Sequence, residues 1–337
     1  MVQIRKACMA ALLCGVMALG VLTGCGGSEG TKETKETKPA APAVKVEAPV
    51  KAKVGNVDIT TQKWADYSVK DDSVFAIKGL AQYQGKLIYG GGGKNLTALA
   101  LKDNVLSIDK GMFKDGILTS EERIENPTTD AAGYIYFRHG NKLNSFKDGK
   151  TVVMNDNCVD SFAPVPDGKS GYLYLGPAFK KAILDAGVVK STEPGFVDPK
   201  AGQGPFKQVD YAVVDKDGTV YLQGYPPEGN YGLMISYSPA GQQLAQFGGQ
   251  DFKAPDKISG AAGIALTDKY VCVAVTDGLK VWSKDGTFIG AVKNKDLFGD
   301  DYRMYGIANW DGKGIVAYVN YEKATKKYDF NFVYISF

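Results

Sequence analysis

Residues 263–292 read GIALTDKYVCVAVTDGLKVWSKDGTFIGAV, four short apolar runs separated by Thr-Asp, Thr-Asp-Gly and Lys-Asp-Gly. Runs of β-branched and aromatic residues bounded by such turn formers predict four antiparallel strands joined by tight hairpins. The same layout recurs along most of the chain, in units covering 79–109, 127–154, 161–196, 210–249, 263–292 and 305–337. Each unit offers an inner run, a turn, a strong second strand, a third strand and a weaker fourth. No stretch shows a long helical period with caps; 180–190 is the best candidate for one or two helical turns.

Unit starts lie roughly 35–50 residues apart, a spacing that suits four-stranded blades with loops of variable length. Blades of this size set radially form a propeller, an arrangement that leaves few exposed sheet edges. The predicted fold is therefore all-β: a six-bladed β-propeller of four-stranded antiparallel blades. The sixth unit has three strands, and the strand-like segments 57–60 and 64–69 precede the first unit. One of them is expected to close the last blade as its outer strand.

The fourth and fifth units resemble NHL-type and related six-bladed propeller repeats. The matching features are the Gly-Ile-Ala inner run beginning at Gly263, the strand-loop-strand ending at Trp282, the Ser-Lys-Asp-Gly turn at Ser283, and the final strand from Thr287. The resemblance implies the architecture and carries no activity with it.

Ahead of the repeats lie three compositional zones. Residues 1–24 start with Arg5 and Lys6 and continue as the apolar run ACMAALLCGVMALGVL. That is the layout of a bacterial secretory signal, too short for a comfortable spanning helix. It closes on Leu22-Thr23-Gly24-Cys25, which resembles the lipobox of bacterial lipoproteins. The resemblance implies that Cys25 is acylated and becomes the first mature residue, holding the protein to a membrane through lipid. Gly26 offers no Asp-type retention signal. The expected location is the cell envelope: the outer membrane, or the outer face of the cytoplasmic membrane. Residues 25–54, with their Thr-Lys-Glu repeat and Pro-Ala-Val-Lys stretch, lack aromatics and read as a disordered tether. The propeller domain is then expected over 55–337.

Charge narrows the partners. The formal net charge is +3, and once residues 1–53 are set aside, basic and acidic residues nearly balance. Counterion-driven nucleic-acid binding needs a basic face, so no nucleic acid is expected. With the signal removed and Cys25 lipidated, Cys158 and Cys272 remain. Cys272 lies in an apolar run and reads as a small buried hydrophobe rather than a disulfide partner. One histidine in the chain and no Cys pair at ligand spacing argue against zinc. No cofactor is expected.

The recurrent Lys-Asp-Gly triplets at Lys114, Lys147, Lys216 and Lys284 suggest calcium loops at first sight. No alternating carboxylate ladder follows them, and Asp-Gly is the favoured pair where a hairpin needs positive φ. The Gly90–Gly93 run lacks the remaining residues of a phosphate loop. His139 has no nucleophile motif near it in sequence, since Gly-x-Ser-x-Gly is absent from the domain. Topology points to a site more clearly than motifs do. In a propeller the loops between second and third strands and the entries to successive blades emerge on one face. Those segments hold Arg138, His139, Tyr225, Tyr231 and Asp277, and Asp160, Asp210, Arg303 and Tyr305. Mixed charge with tyrosines suits a polar ligand, a peptide, a glycan or an envelope protein.

The expected function is a membrane-anchored, exported binding or scaffolding module that uses one propeller face. The alternative is a propeller enzyme, a lactonase-like hydrolase or glycan lyase with its site at the axis. Three or more Asp, Glu or Asn converging there would favour the enzyme, and a tyrosine-lined opening would favour binding. Mass spectrometry of membrane-extracted protein is expected to find a diacylglyceryl-modified Cys25 at the amino terminus. An unmodified terminus elsewhere would overturn the anchor.

Overall fold

Period-two alternation and Asp-rich turns build six antiparallel sheets. The structure, a computed structural model, describes residues 44–337 except 72–76, 92–93, 114–115, 157–160, 203, 230, 249–253, 300–301 and 323–327. Blade 1 consists of Ile77–Tyr83, Lys86–Gly91, Asn95–Lys102 and Val105–Ile108. Blade 2 consists of Ile124–Thr129, Ile135–His139, Lys142–Lys147 and Lys150–Asn155. Blade 3 holds Ser161–Pro164, Ser170–Leu175, Ala178–Asp185 and Val188–Pro194. Blade 4 holds Gln208–Val214, Val220–Tyr225, Leu233–Tyr237 and Gln243–Phe247. Blade 5 holds Ala261–Leu266, Tyr270–Val275, Gly278–Ser283 and Phe288–Lys293, and blade 6 holds Tyr302–Asn309, Gly314–Glu322 and Tyr328–Ser336. Within each blade the strands pair in chain order, giving the six-bladed propeller expected from the repeat.

The fourth place in blade 6 is filled from the amino-terminal side. Val57–Lys63 runs antiparallel to the last strand, with Thr60 opposite Ser336 and Lys63 opposite Val333. Val69–Asp71 pairs with the same strand nearer its start. Between them the chain stitches blade 6 to blade 1: Trp64 N–H donates to the Phe332 carbonyl at 3.0 Å, Ala65 N–H donates to Asn104 O at 2.8 Å, and Leu106 N–H donates to Ala65 O at 2.9 Å. A further strand, Val50–Val54, pairs with Val57–Lys63, so strand structure begins inside the stretch read as tether. The reason is local: Val50-Lys-Ala-Lys-Val alternates, and Val54 is fully buried.

The expected helical turns at 180–190 are instead a hairpin between Ala178–Asp185 and Val188–Pro194. Its inner half alternates in burial, with Phe179, Ala182 and Leu184 inward. Ala186 (φ 49°) and Gly187 (φ 76°) make a two-residue turn with both φ positive. Lys-Asp-Gly behaves as expected of a turn. Asp148 (φ 49°) and Gly149 (φ 77°) form the same kind of hairpin, and Asp217 and Asp285 each accept the amide two residues on. The triplet at Lys114 lies outside the described residues. The one helix among the described residues, Asn294–Phe298, links blades 5 and 6; no helix there is long and apolar enough to cross a membrane.

The hydrophobic core is divided into six clusters, one at each boundary between neighbouring blades. In blade 5, Val271, Val273 and Val275 face blade 4, while Cys272 and Ala274 face blade 6. Middle strands therefore read as unbroken apolar runs because both their faces are covered. Cys272 is free and fully buried, and burial pushes its thiol pKa up, as suits a small core residue. Cys158 lies outside the described residues. Polar staples add to the boundary of blades 4 and 5: Lys284 pairs with Asp215, and Lys216 Nζ lies 2.8 Å from Asp268.

The closing segment feeds two clusters. Val54 and Ile59 enter the one between blades 5 and 6, and Trp64 enters the one between blades 6 and 1. Trp64 lies 4.8 Å from Trp310 and stacks on Tyr334 at 6.2 Å. Buried Thr61 donates to the Leu297 carbonyl at 2.7 Å, tying the same segment to the helix. Deleting residues 50–63 is therefore expected to abolish cooperative unfolding. Ile59→Ala is expected to cost about 2–5 kcal/mol in denaturant titration, and removal of 26–43 is expected to leave the midpoint unchanged. A normal melting transition after deletion of 50–63 would contradict the closure.

Candidate ligand-binding site

The inner strands of all six blades surround an axial cavity of about 760 Å³. That volume suits a small-molecule site. Polar residues line it at both ends: Gln82, Thr128, Thr129 and Asn309 where inner strands finish, and Lys78, Ser161, Asp210 and Tyr305 nearer where they begin, the end of the entries to the blades.

The local cause is a repeated break in register. Against its second strand, the inner strand of blade 1 slips between Ile77 and Leu80, and that of blade 2 slips across Asn126 and Pro127. In blade 4 the slip falls at Asp210, in blade 5 at Ala262 and in blade 6 at Tyr305. Blade 3 keeps a regular register, Ser161 opposite Tyr174. A bulge leaves one residue outside the ladder and re-aims its side chain. Here Lys78, Asn126, Asp210, Ala262 and Tyr305 all line the cavity. Asn126 sits at φ 51°, a strained backbone for a non-glycine residue.

Around this ring, Asn126 Nδ2 donates to Ser161 Oγ at 3.2 Å, and Gln208 Nε2 donates to Asp210 Oδ1 at 2.6 Å. Tyr174, Tyr211 and Tyr318 line the wall with Tyr305, whose ring meets Phe330 edge-on at 5.5 Å. Burial pushes the Tyr174 hydroxyl up to about 12. Tyr211 is raised too, by burial first and then by Asp210 and Tyr225. Lys78 is depressed, first by burial and then by the guanidiniums of Arg123 and Arg138. Asp210 is raised by burial, against the pull of its Gln208 hydrogen bond. Among the described residues Asp210 is the one carboxylate lining the cavity, and no group of three or more His, Cys, Asp or Glu is placed to hold a metal ion.

The structure divides the residues picked from sequence. Asp210 and Tyr305 line the cavity, and Tyr225 lies close enough to influence Tyr211. Arg138 stands behind the mouth, paired with Glu125, which is 4% exposed. Tyr231 is buried under its own loop. The Asp277 carbonyl accepts the Asn294 amide at 3.0 Å, a turn contact away from the cavity. Arg303 is the second residue of the inner strand of blade 6, on its exposed side. Asp160 lies outside the described residues.

His139 contacts Ser120 Oγ through Nε2, and the Glu122 carboxylate approaches the same nitrogen at 3.9 Å. Ser120 Oγ also accepts the Glu122 amide at 2.9 Å. A relay of the hydrolase type places its acid on the other ring nitrogen. This trio is a half-exposed rim cluster outside the cavity. Sequence reading missed Ser120, and it also missed Lys78 and Asn126. A signal for Lys78 exists: Lys78-Gly-Leu-Ala, Ala262-Gly-Ile-Ala and Tyr305-Gly-Ile-Ala share one frame, with the cavity residue before the glycine.

No protein-family model matches the chain, and no curated protein matches it. Solved structures are similar in fold. A gluconolactonase from Xanthomonas campestris, described as important in glucose secondary metabolic pathways, is 12% identical with a TM-score of 0.53, covering 89% of this chain and 99% of that one. Kuenenia stuttgartiensis hydrazine synthase is 13% identical with a TM-score of 0.47, covering 73% of this chain and 76% of that one. The gluconolactonase likeness bears on the fold alone, and this chain is a six-bladed β-propeller with an axial cavity.

The raised Asp210 gives a pH test. Its folded state holds the proton more tightly than the unfolded chain does. The ionised form therefore costs stability at neutral pH, and that cost fades as pH falls through the raised pKa. Asp210→Asn keeps the acceptor for Gln208 and is expected to raise the melting temperature near pH 7, with the gain vanishing near about pH 4. A lower melting temperature at neutral pH would contradict it.

Proposed function

We propose that the protein is an exported, lipid-anchored binding module that takes a small polar ligand at the mouth of its axial cavity. The observation that carries the reading is the bulge ring, which turns Lys78, Asn126, Asp210 and Tyr305 toward one opening. Framework residues bond within the ladder; these stand outside it, beside four tyrosines that offer flat faces and hydroxyls. A glycan fragment or the end of a peptide matches that mixture of flat and polar surface. The anchor rests on the signal, the Cys25 motif and the composition of 25–54.

Hydrolysis of a lactone is the second reading, and its support is the fold likeness to the gluconolactonase. Against it, the three Asp and Asn residues that line the cavity, Asn126, Asp210 and Asn309, do not form one set: Asn309 ends the inner strand of blade 6 with its Oδ1 accepting the Leu266 amide at 2.6 Å, and Asp210 is the one carboxylate among the described residues there. The rim cluster of Ser120 and His139 lies off the axis.

Thermal shift against neutral sugars, uronates, amino acids and dipeptides is expected to find stabilising members. At about a hundred times Kd the gain is about 2.7 kcal/mol, or several degrees in a domain of this size. Asp210→Ala and Tyr305→Ala are each expected to weaken that shift. A shift untouched by both variants would place the ligand elsewhere.

A further inference from the structure

Carboxylates drawn into this fold are matched by a cation at three places. Glu125, with a side chain 6% exposed, pairs with Arg138; Asp215, 10% exposed, pairs with Lys284; Asp109, 13% exposed, lies 2.5 Å from Lys86 Nζ. Asp210 departs from that pattern. It is half-buried in the cavity wall, and among the described residues no Lys, Arg or His forms an ion pair with it. Lys78, the one cation lining the cavity among those residues, belongs to blade 1, three blades round the ring. Gln208 Nε2 donates to Asp210 Oδ1 at 2.6 Å, and Oδ2 has no protein partner among the described residues. Small residues flank this position. Val209 N–H donates to the Gly176 carbonyl of blade 3 at 2.8 Å, and a Cβ at Gly176 would meet nothing within 4 Å. On the blade 5 side the bulged residue is Ala262. Gly176 and Ala262 both line the cavity.

Resting on the cavity reading above, we propose that Asp210 is an ammonium-binding residue and that the ligand of this cavity carries a primary amine. The amine enters the space left by Gly176 and Ala262 and bonds Oδ2, while Gln208 holds the other carboxylate oxygen in place. A hydroxyl would bring a single donor and no charge. An ammonium brings three donors and the counter-charge, and a charge-assisted bond is roughly twice as strong as a neutral one. Burial raises the Asp210 pKa against the pull of Gln208, a direction that a cation at Oδ2 would reverse. Tyr305, the bulged residue of the blade beyond Ala262, offers a ring face to the body of the ligand. An amino sugar and the free amino end of a peptide both present this chemistry.

Two matched pairs that differ in the amine test it on the full chain in detergent, at low salt and near-neutral pH: glucosamine against glucose, and dialanine amide against its N-acetyl form. In calorimetric titration the amine is expected to bind at least about tenfold more tightly than its neutral partner, with the ratio falling as salt is raised. Asp210→Asn removes the charge and keeps an acceptor for Gln208. It is expected to bring the ratio near one, and its melting transition to show that it folds. Preference in the sugar pair alone would support the site and assign it to amino sugars. Preference in the peptide pair alone would support it and assign it to peptide amino ends, and preference in both to primary amines at large. Neutral-partner binding that is lost in Tyr305→Ala, with both ratios near one in the unaltered protein, would overturn the ammonium site and leave the cavity reading standing. A ratio that survives in Asp210→Asn would overturn it as well. If no member of either pair binds, the site falls together with the cavity reading.

Discussion

A propeller has no central core to fall back on, so its stability hangs on closing the ring. Each of the six hydrophobic clusters lies between two blades and is complete only when both are in place. Val57–Lys63 pairs with the last strand, and Ala65 bonds the join to Asn104 and Leu106 of blade 1. Without that segment the last strand would present an open edge, and the clusters on either side of blade 6 would lose Val54, Ile59 and Trp64. Full burial of a large apolar side chain stabilises by about 1.5–3 kcal/mol, so these three alone rival a large fraction of a typical domain's net stability. The amino-terminal segment is thus a structural clasp, set apart from the composition that precedes it.

Closure also makes the cavity. Because apolar packing is directed sideways, from blade to blade, the axis is left as a space bounded by inner strands whose faces are only half covered. Bulges at the mouth then decide what this space presents. A bulged residue gives up cross-strand pairing, so its identity is released from the alternation that governs the rest of the strand. Lys78, Asn126, Asp210, Ala262 and Tyr305 differ in charge and size while their strands remain alike, which is how one framework carries a site specific to one chain.

Most of the framework was legible, because hairpins are local. Asp-Gly pairs and alternating apolar runs located the blades and the closing strand within a few residues. The hairpin at 186–187 was missed because Ala186 is an unusual occupant of a positive-φ position, and Lys180-Lys181 next to Ala182 mimicked a helical face. Strand Val50–Val54 was hidden by the lysines on its exposed side. The site was legible in part. Topology led to Asp210 and Tyr305, whereas Lys78 required seeing that three inner strands begin with the same Gly-apolar-Ala frame. Asn126 and Asp210 have no glycine after them, so their bulges belong to packing between blades and leave no local signal. The contact of Ser120 with His139 is likewise made by pairing across the link between blades 1 and 2.

The two charged groups at the mouth are both held away from their ordinary ionisation, and in opposite directions. Burial lowers Lys78 and raises Asp210, so in each case the charged form is the one opposed. Elsewhere the fold relieves such costs: Lys284 meets Asp215 at a blade boundary and Glu125 meets Arg138 behind the mouth. Asp210 has instead a neutral amide for its near partner. The cost at Asp210 serves no purpose in holding blades together, since removing its charge would relieve it. It does favour a ligand that brings hydrogen-bond donors to Asp210, because binding would then relax that carboxylate. Local cost without structural return is the mark of a surface shaped for something outside the chain.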